Sequence, residues 1–145
     1  MEKRIDPYSS SKEAMEAMLS LEKSVSRLGL EPELVELVKL RASQINGCAY
    51  CVDLHTREAR QAGETERRLY AVSVWRETPF FTERERAALA WTEALTLIAD
   101  TRAPDADYAL LAAQFNKKEM TDLTLAIVAI NGWNRIAVGF RKMPT

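Results

Sequence analysis

The sequence predicts an all-α fold, a multi-helix bundle of six to seven helices in a single domain spanning residues 1–145. Three observations carry this. Helix start and stop signals recur along the chain at the spacing of ordinary helices. Only five glycines and five prolines occur, and most fall at the joints between those signals or near the termini. No stretch of useful length alternates apolar and polar residues as a half-buried strand would. With 47% hydrophobic residues, the chain can bury a core without disulfide staples.

Each element has its own punctuation. Ser10 and Glu13 have capping-box spacing, so a first helix should run to about Leu28 and end at Gly29. Pro32 suits the first position of a second helix, which reaches Asn46-Gly47. A third opens at Cys48 and stops at Gly63, and a fourth covers residues 65–76 before Pro79. Thr82 and Glu85 form another capping-box pair, opening a long helix through Ile98. Its charged start, residues 82–93, reads as a solvated face. A further helix covers residues 104–114. Asn116 and Glu119 can cap the last, which continues to Phe140 with Gly132 and Gly139 inside it. That helix carries Leu123, Leu125, Ile127, Ile130, Trp133 and Ile136 with little polar face, the pattern of a helix buried on all sides. In so small a domain this predicts a homo-oligomer, with residues 125–133 near an interface. Trp75, Trp91 and Trp133 read as core or interface.

Composition excludes several functions. A net charge of −1 leaves no electrostatic footprint for nucleic acid or an anionic membrane surface. No run approaches the roughly 20 apolar residues of a membrane span. Residues 1–7 carry charge without an apolar core and do not read as a signal peptide. Two cysteines are too few for a secreted disulfide scaffold. The expectation is a cytoplasmic protein, where a close cysteine pair is catalytic or metal-binding more often than structural.

The chemistry is concentrated in Cys48-Ala49-Tyr50-Cys51-Val52-Asp53-Leu54-His55, which holds both cysteines and the only histidine. Thiol and imidazole are the groups that do redox, nucleophilic and metal chemistry near neutral pH. Gly47 ends one helix and Cys48 begins the next, where free N–H groups and the helix dipole stabilise a thiolate. Cys-X-X-Cys on a helix places the sulfurs one turn apart, able to close into a disulfide and reopen. His55 lies one turn beyond Cys51 on the same face and can take its proton. On the helical wheel, Cys48, Cys51, Val52, His55, Ala59 and Ala62 share a stripe. Asp53, Thr56, Arg57, Arg60 and Gln61 share the solvated side. A lone buried Cys or His is ordinarily a packed core residue. Both cysteines and the single histidine at this spacing point to function. A thioredoxin-like arrangement needs a strand before the motif, and residues 34–45 read as helix. Structural zinc needs four ligands, whereas Cys48, Cys51 and His55 make three and a carboxylate would have to be the fourth.

The segment from Glu33 to Arg60, containing Glu36, Cys48, Cys51 and His55, resembles the core of the alkylhydroperoxidase D-like (AhpD-like) proteins of the carboxymuconolactone decarboxylase superfamily. The resemblance extends from about Leu30 to Gly63 and continues in helix order and in Asn131-Gly132-Trp133-Asn134-Arg135. It implies an all-helical subunit assembled as a trimer or hexamer. It also implies antioxidant peroxidase activity through a redox-active disulfide, without haem, metal or other cofactor. In that reading Cys51 is the attacking thiolate, Cys48 resolves the sulfenic acid, and Glu36 with His55 relays protons. The substrate is a hydroperoxide, and the partner is an external dithiol reductant, lipoyl-bearing or thioredoxin-like. The one-turn contact with His55 favours Cys51 as attacker, and the helix-start position of Cys48 argues the other way. Tyr50 stands where the best-known peroxidases of the family have a second histidine, a departure that bears on the proton path and on peroxidase efficiency. Decarboxylase members lack the cysteine pair, which disfavours that activity. Glu36 comes from the resemblance alone: it lies opposite the stripe Leu34, Leu37, Val38, Ala42 and Ile45, where an isolated glutamate would be solvated. A thiol-disulfide adaptor or redox sensor uses the same cysteines without Glu36. A zinc-binding structural module is the third reading.

Overall fold

The computed structural model describes all residues from Met1 to Thr145 and contains helices and no strands. Nine α-helices are present, in order α1 (Pro7–Ser10), α2 (Lys12–Val25), α3 (Pro32–Ile45), α4 (Ala49–Gln61), α5 (Glu66–Ala71), α6 (Glu83–Thr96), α7 (Ile98–Thr101), α8 (Asp105–Gln114) and α9 (Lys117–Gly139). The excess over the six to seven expected comes from short pieces. Asp6 caps a single turn, α1, by accepting from the Tyr8 N–H at 3.1 Å. Ser11, not Ser10, then caps α2 through the Ala14 N–H. The expected fourth helix is α5 followed by a 3-10 segment, Val72–Glu77, kinked at Val74. The expected run through Ile98 breaks at Leu97, and α7 is one turn beyond it.

The remaining punctuation acts as the sequence implies. Pro32 opens α3, and Asn116 and Glu119 form a complete capping box on α9. Thr82 accepts from the Glu85 N–H, but the Glu85 carboxylate turns instead to Arg68, so only half of that box is made.

Helix α3 lies at the centre and packs against α4, α6 and α9. Its buried residues include Leu34, Leu37, Val38, Leu40, Ala42 and Ser43, which occupy more than one face. The core has two main clusters. Val38, Leu123 and Ile127 join α6 and α8 on one side of α3. Leu37, Leu40 and Leu89 join α4, α5 and the 3-10 segment on the other.

The charged start of α6 is not the solvated face expected. Glu93 receives hydrogen bonds from Arg41, Trp75 and Arg76, uniting α3, the 3-10 segment and α6. Burial acts to raise its pKa, but bonds from Arg76, Trp75 and Arg41 outweigh burial and hold the carboxyl below its ordinary range. Arg84 stacks 4.0 Å above the Phe115 ring and pairs with Glu31 and Glu119. Guanidinium planes cover apolar rings while keeping ionic partners, so charge here coexists with burial.

Within the single subunit, α9 is buried over part of its circumference. Asp122, Leu123, Ala126, Ile127, Ala129, Ile130, Asn134 and Ala137 are buried. Thr121, Val128, Arg135 and Val138 form an exposed stripe, with Val128 53% exposed.

Candidate functional site

The motif is delivered by a tight turn between α3 and α4. Gly47 has φ +65°, a left-handed conformation that costs an L-residue roughly 1–2 kcal/mol. The turn returns the Cys48 N–H to the Ser43 carbonyl at 3.0 Å. Cys48 thereby becomes the N-cap of α4, and its Sγ accepts from the Cys51 N–H at 3.3 Å. The two sulfurs are joined as a disulfide, with Cα atoms 5.3 Å apart. Both cysteines are almost wholly buried, Cys48 at 1% and Cys51 at 3% exposure. Bonded to each other, they are not thiolate ligands for zinc in this state.

An amide network fixes that turn from below. Asn46 donates to the side-chain oxygens of Asn131 and Asn134, both at 2.9 Å. Asn134, fully buried, donates to Ser43 at 3.0 Å. Asn131 also donates to Thr96 of α6 at 3.1 Å. The Asn131-Gly132-Trp133-Asn134 segment therefore holds the cysteine turn through side chains, and burial makes each unreplaced bond costly.

His55 is 7% exposed and lies one turn after Cys51 on α4. Its Nδ1 is 3.0 Å from Glu36 Oε2 and 3.5 Å from Glu58 Oε2. An ionised carboxylate only accepts, so in the neutral imidazole this contact assigns the proton to Nδ1 and leaves the lone pair on Nε2. Glu36 comes within reach because α3 is buried on both sides, and the face opposite its main apolar stripe packs on α4.

Behind Glu36 the polar chain continues. Lys39 Nζ lies 4.0 Å from Glu36 and 2.5 Å from Glu22, a residue of α2. The Trp133 indole N–H donates to the other Glu22 oxygen at 3.2 Å. These side chains interlock as a hydrogen-bonded ion cluster. Glu36, His55 and Glu58 also bring three metal-ligating atom types within 4.8 Å of one another, of which only the His55–Glu36 contact is a hydrogen bond.

Cys51 and His55 line a cavity of about 780 Å³. Most of its wall is apolar, from Leu19, Leu54, Ile130, Trp133, Ile136 and Phe140. The chain ends cover it. Arg141, with φ +56°, turns the tail back after α9. Arg4 donates to the Gly139 carbonyl at 2.8 Å, and Arg141 donates to the Glu2 carbonyl at 3.3 Å. The Lys142 ammonium sits 4.1 Å above the Tyr50 ring and 5.3 Å from the Tyr8 ring. Cys48 does not line this cavity; it borders a separate groove with Gln44, Asp53 and Thr56.

All four residues singled out from sequence meet in this region. Glu22, Lys39, Glu58 and the asparagine network were not anticipated. Trp133, expected in core or interface, stands in the cavity wall. The signal for Lys39 was its position three residues after Glu36 on the same helix, where the two can pair. Nothing local marks Glu22, which is 17 residues from Lys39.

Comparison with known proteins places this geometry in context. The profile described as Carboxymuconolactone decarboxylase family matches residues 12–94. Bacillus subtilis (strain 168) YdfG is 40% identical over 138 residues, covering 95% of this chain and 94% of that protein. A crystal structure from Agrobacterium tumefaciens superposes with a TM-score of 0.97 at 49% identity, covering 99% of each chain. That protein is described as of unknown function and suggested to be the antioxidant defence protein AhpD. The debrominase Bmp8 shares the fold, with a TM-score of 0.79 at 20% identity over 89% of this chain and 69% of that one.

Proposed function

The chain belongs to the carboxymuconolactone decarboxylase family, among its AhpD-like members, and from that premise we propose that it is a cysteine-based peroxidase reducing organic hydroperoxides through a Cys48–Cys51 dithiol–disulfide cycle. The observation that carries this reading is the position of Cys51: it lines the apolar cavity beside His55, whose imidazole is backed by Glu36. In the reduced protein, His55 Nε2 accepts the Cys51 proton. The thiolate attacks the terminal peroxide oxygen and the O–O bond breaks. The departing alkoxide takes the proton held by His55 and leaves as the alcohol, with Cys51 as sulfenic acid. Cys48, deprotonated and stabilised at the N-cap of α4, attacks the Cys51 sulfur. The proton that Cys48 released goes to the departing hydroxide, which leaves as water, and the disulfide closes. An external dithiol, on a lipoyl-bearing or thioredoxin-like partner, returns two electrons and two protons. Such a cycle suits the reducing cytoplasm.

The apolar wall favours an organic hydroperoxide over hydrogen peroxide, because only the former gains from burying hydrocarbon there. Stopped-flow mixing of reduced protein with cumene hydroperoxide and with hydrogen peroxide, followed by a thiol count by mass, is the test. Thiols should fall from two to none, faster with the organic peroxide. Protein that keeps both thiols free would overturn the reading.

The assembly is a homo-oligomer, hexamer or trimer, in this proposal. The exposed Val128 and Val138 on α9, with Leu110 on α8, leave apolar surface that a second copy would cover. Light scattering at micromolar concentration should give a multiple of the 16.4 kDa chain, and a clean monomer would refute it.

A further inference from the structure

We infer that Lys39 is a positioning residue which, with Glu22, sets the charge balance of the Glu36–His55 relay and so the pH at which Cys51 becomes reactive. This rests on the relay reading above. Lys39 is 8% exposed, with its ammonium between two carboxylates from different helices, Glu22 at 2.5 Å and Glu36 at 4.0 Å. A buried ammonium is retained only where anions compensate its lost hydration. Glu22 is itself held by Trp133 of α9, so three helices fix the charge in place.

The formal charges explain the arrangement. Glu22 and Glu36 contribute two negative charges and Lys39 one positive, a net −1. A proton moved from Cys51 to His55 brings that set to zero. Those three groups alone therefore match the imidazolium formed when the thiolate appears, while Glu58, 3.5 Å from His55 Nδ1, adds a negative charge that water screens. The other charged groups near the site lie at its rim. Glu58 of α4 is half exposed; Lys3, Arg4 and Asp6 come from the N-terminal arm, and Arg141 and Lys142 from the tail. Tyr8 and Tyr50 lie beneath Lys142, and α9 offers the cavity the uncharged indole of Trp133. Water screens the rim charges more than the buried pair.

The test is the pH dependence of Cys51 alkylation by iodoacetamide in the reduced full chain, read site by site by peptide mass. Lys39→Met keeps the apolar stem and removes the charge. The cluster, now more negative, holds the His55 imidazolium more strongly, so the rise in Cys51 reactivity should move to lower pH by about one unit, roughly tenfold in rate below the midpoint. Glu22→Gln removes a negative charge that compensates the imidazolium and should move it to higher pH. The double variant restores the balance and should lie near the unaltered protein, as should Lys39→Arg. A purely structural role would not move the two single variants in opposite directions. Should Lys39→Met fail to fold, the upward shift in Glu22→Gln decides alone. Unmoved profiles, or shifts of the same sign in both single variants, would overturn the inference. Iodoacetamide requires no peroxide, so a protein inert to hydroperoxides would defeat the peroxidase reading while these profiles still decide the role of Lys39.

Discussion

Cys51→Ser is expected to reduce peroxide consumption to the uncatalysed background, whereas Cys48→Ser should still complete the first oxidation. The difference follows from placement. Cys51 lines the cavity, and Cys48 lies outside it as the cap of α4. With Cys48 gone, the sulfenic acid at Cys51 has no thiol to close on, so it should accumulate and be trapped by dimedone at one label per chain. The cap argument works against this assignment, since the Cys51 N–H points at the Cys48 sulfur and favours negative charge there. Access to the cavity outweighs it, because a stabilised thiolate that cannot meet peroxide does not react. A dimedone adduct found only in Cys51→Ser would show the roles to be reversed.

His55→Ala should slow oxidation at pH 7 by about 10²-fold, the usual contribution of a positioned base, with partial recovery at high pH, where hydroxide replaces it. Glu36→Gln should act in the same direction and more weakly, about tenfold. It keeps a hydrogen-bonding side chain near Nδ1 but loses the charge that compensates the imidazolium. Both effects are read as second-order rate constants with cumene hydroperoxide across a pH series. An unchanged rate constant in Glu36→Gln would remove Glu36 from the relay, and thiol–disulfide exchange without peroxide turnover in the unaltered protein would favour the adaptor reading over the peroxidase.

Much of this was readable before any coordinates. Pro32, the joint glycines Gly47 and Gly63, and the Asn116–Glu119 pair marked α3, α4 and α9, because those signals are local and chemically specific. Local signals did not show that α6 would fold its charges into the core. That outcome depends on Trp75 and Phe115 arriving from distant segments to lie under Arg86 and Arg84. Glu36 shows the same limit. Its helix periodicity pointed to solvent, and only the packing of α4 on the opposite face of α3 brought His55 to 3.0 Å from it. Lys39 and Glu22 meet across 17 residues, and Trp133 joins Glu22 across 111. Hydrophobic pattern carries no information on such pairings. The kink at Val74 and the break at Leu97 were equally invisible, since neither involves proline or glycine.

The asparagine contacts to Asn46 span 85 and 88 residues, and the Arg4 bond to Gly139 spans 135. Ordering the cysteine turn therefore waits on α9, which is synthesised well after α3 and α4. A chain emerging from the ribosome can form α3 and α4 early, since helices are local, but loop-closure entropy must be overcome before α9 docks on them. Until then the dithiol has neither its supporting amides nor its covered cavity, and it behaves as an ordinary pair of thiols. Chemical competence thus arrives with the closing step of folding, so that recovery of peroxide reactivity during refolding should trail the recovery of helical signal.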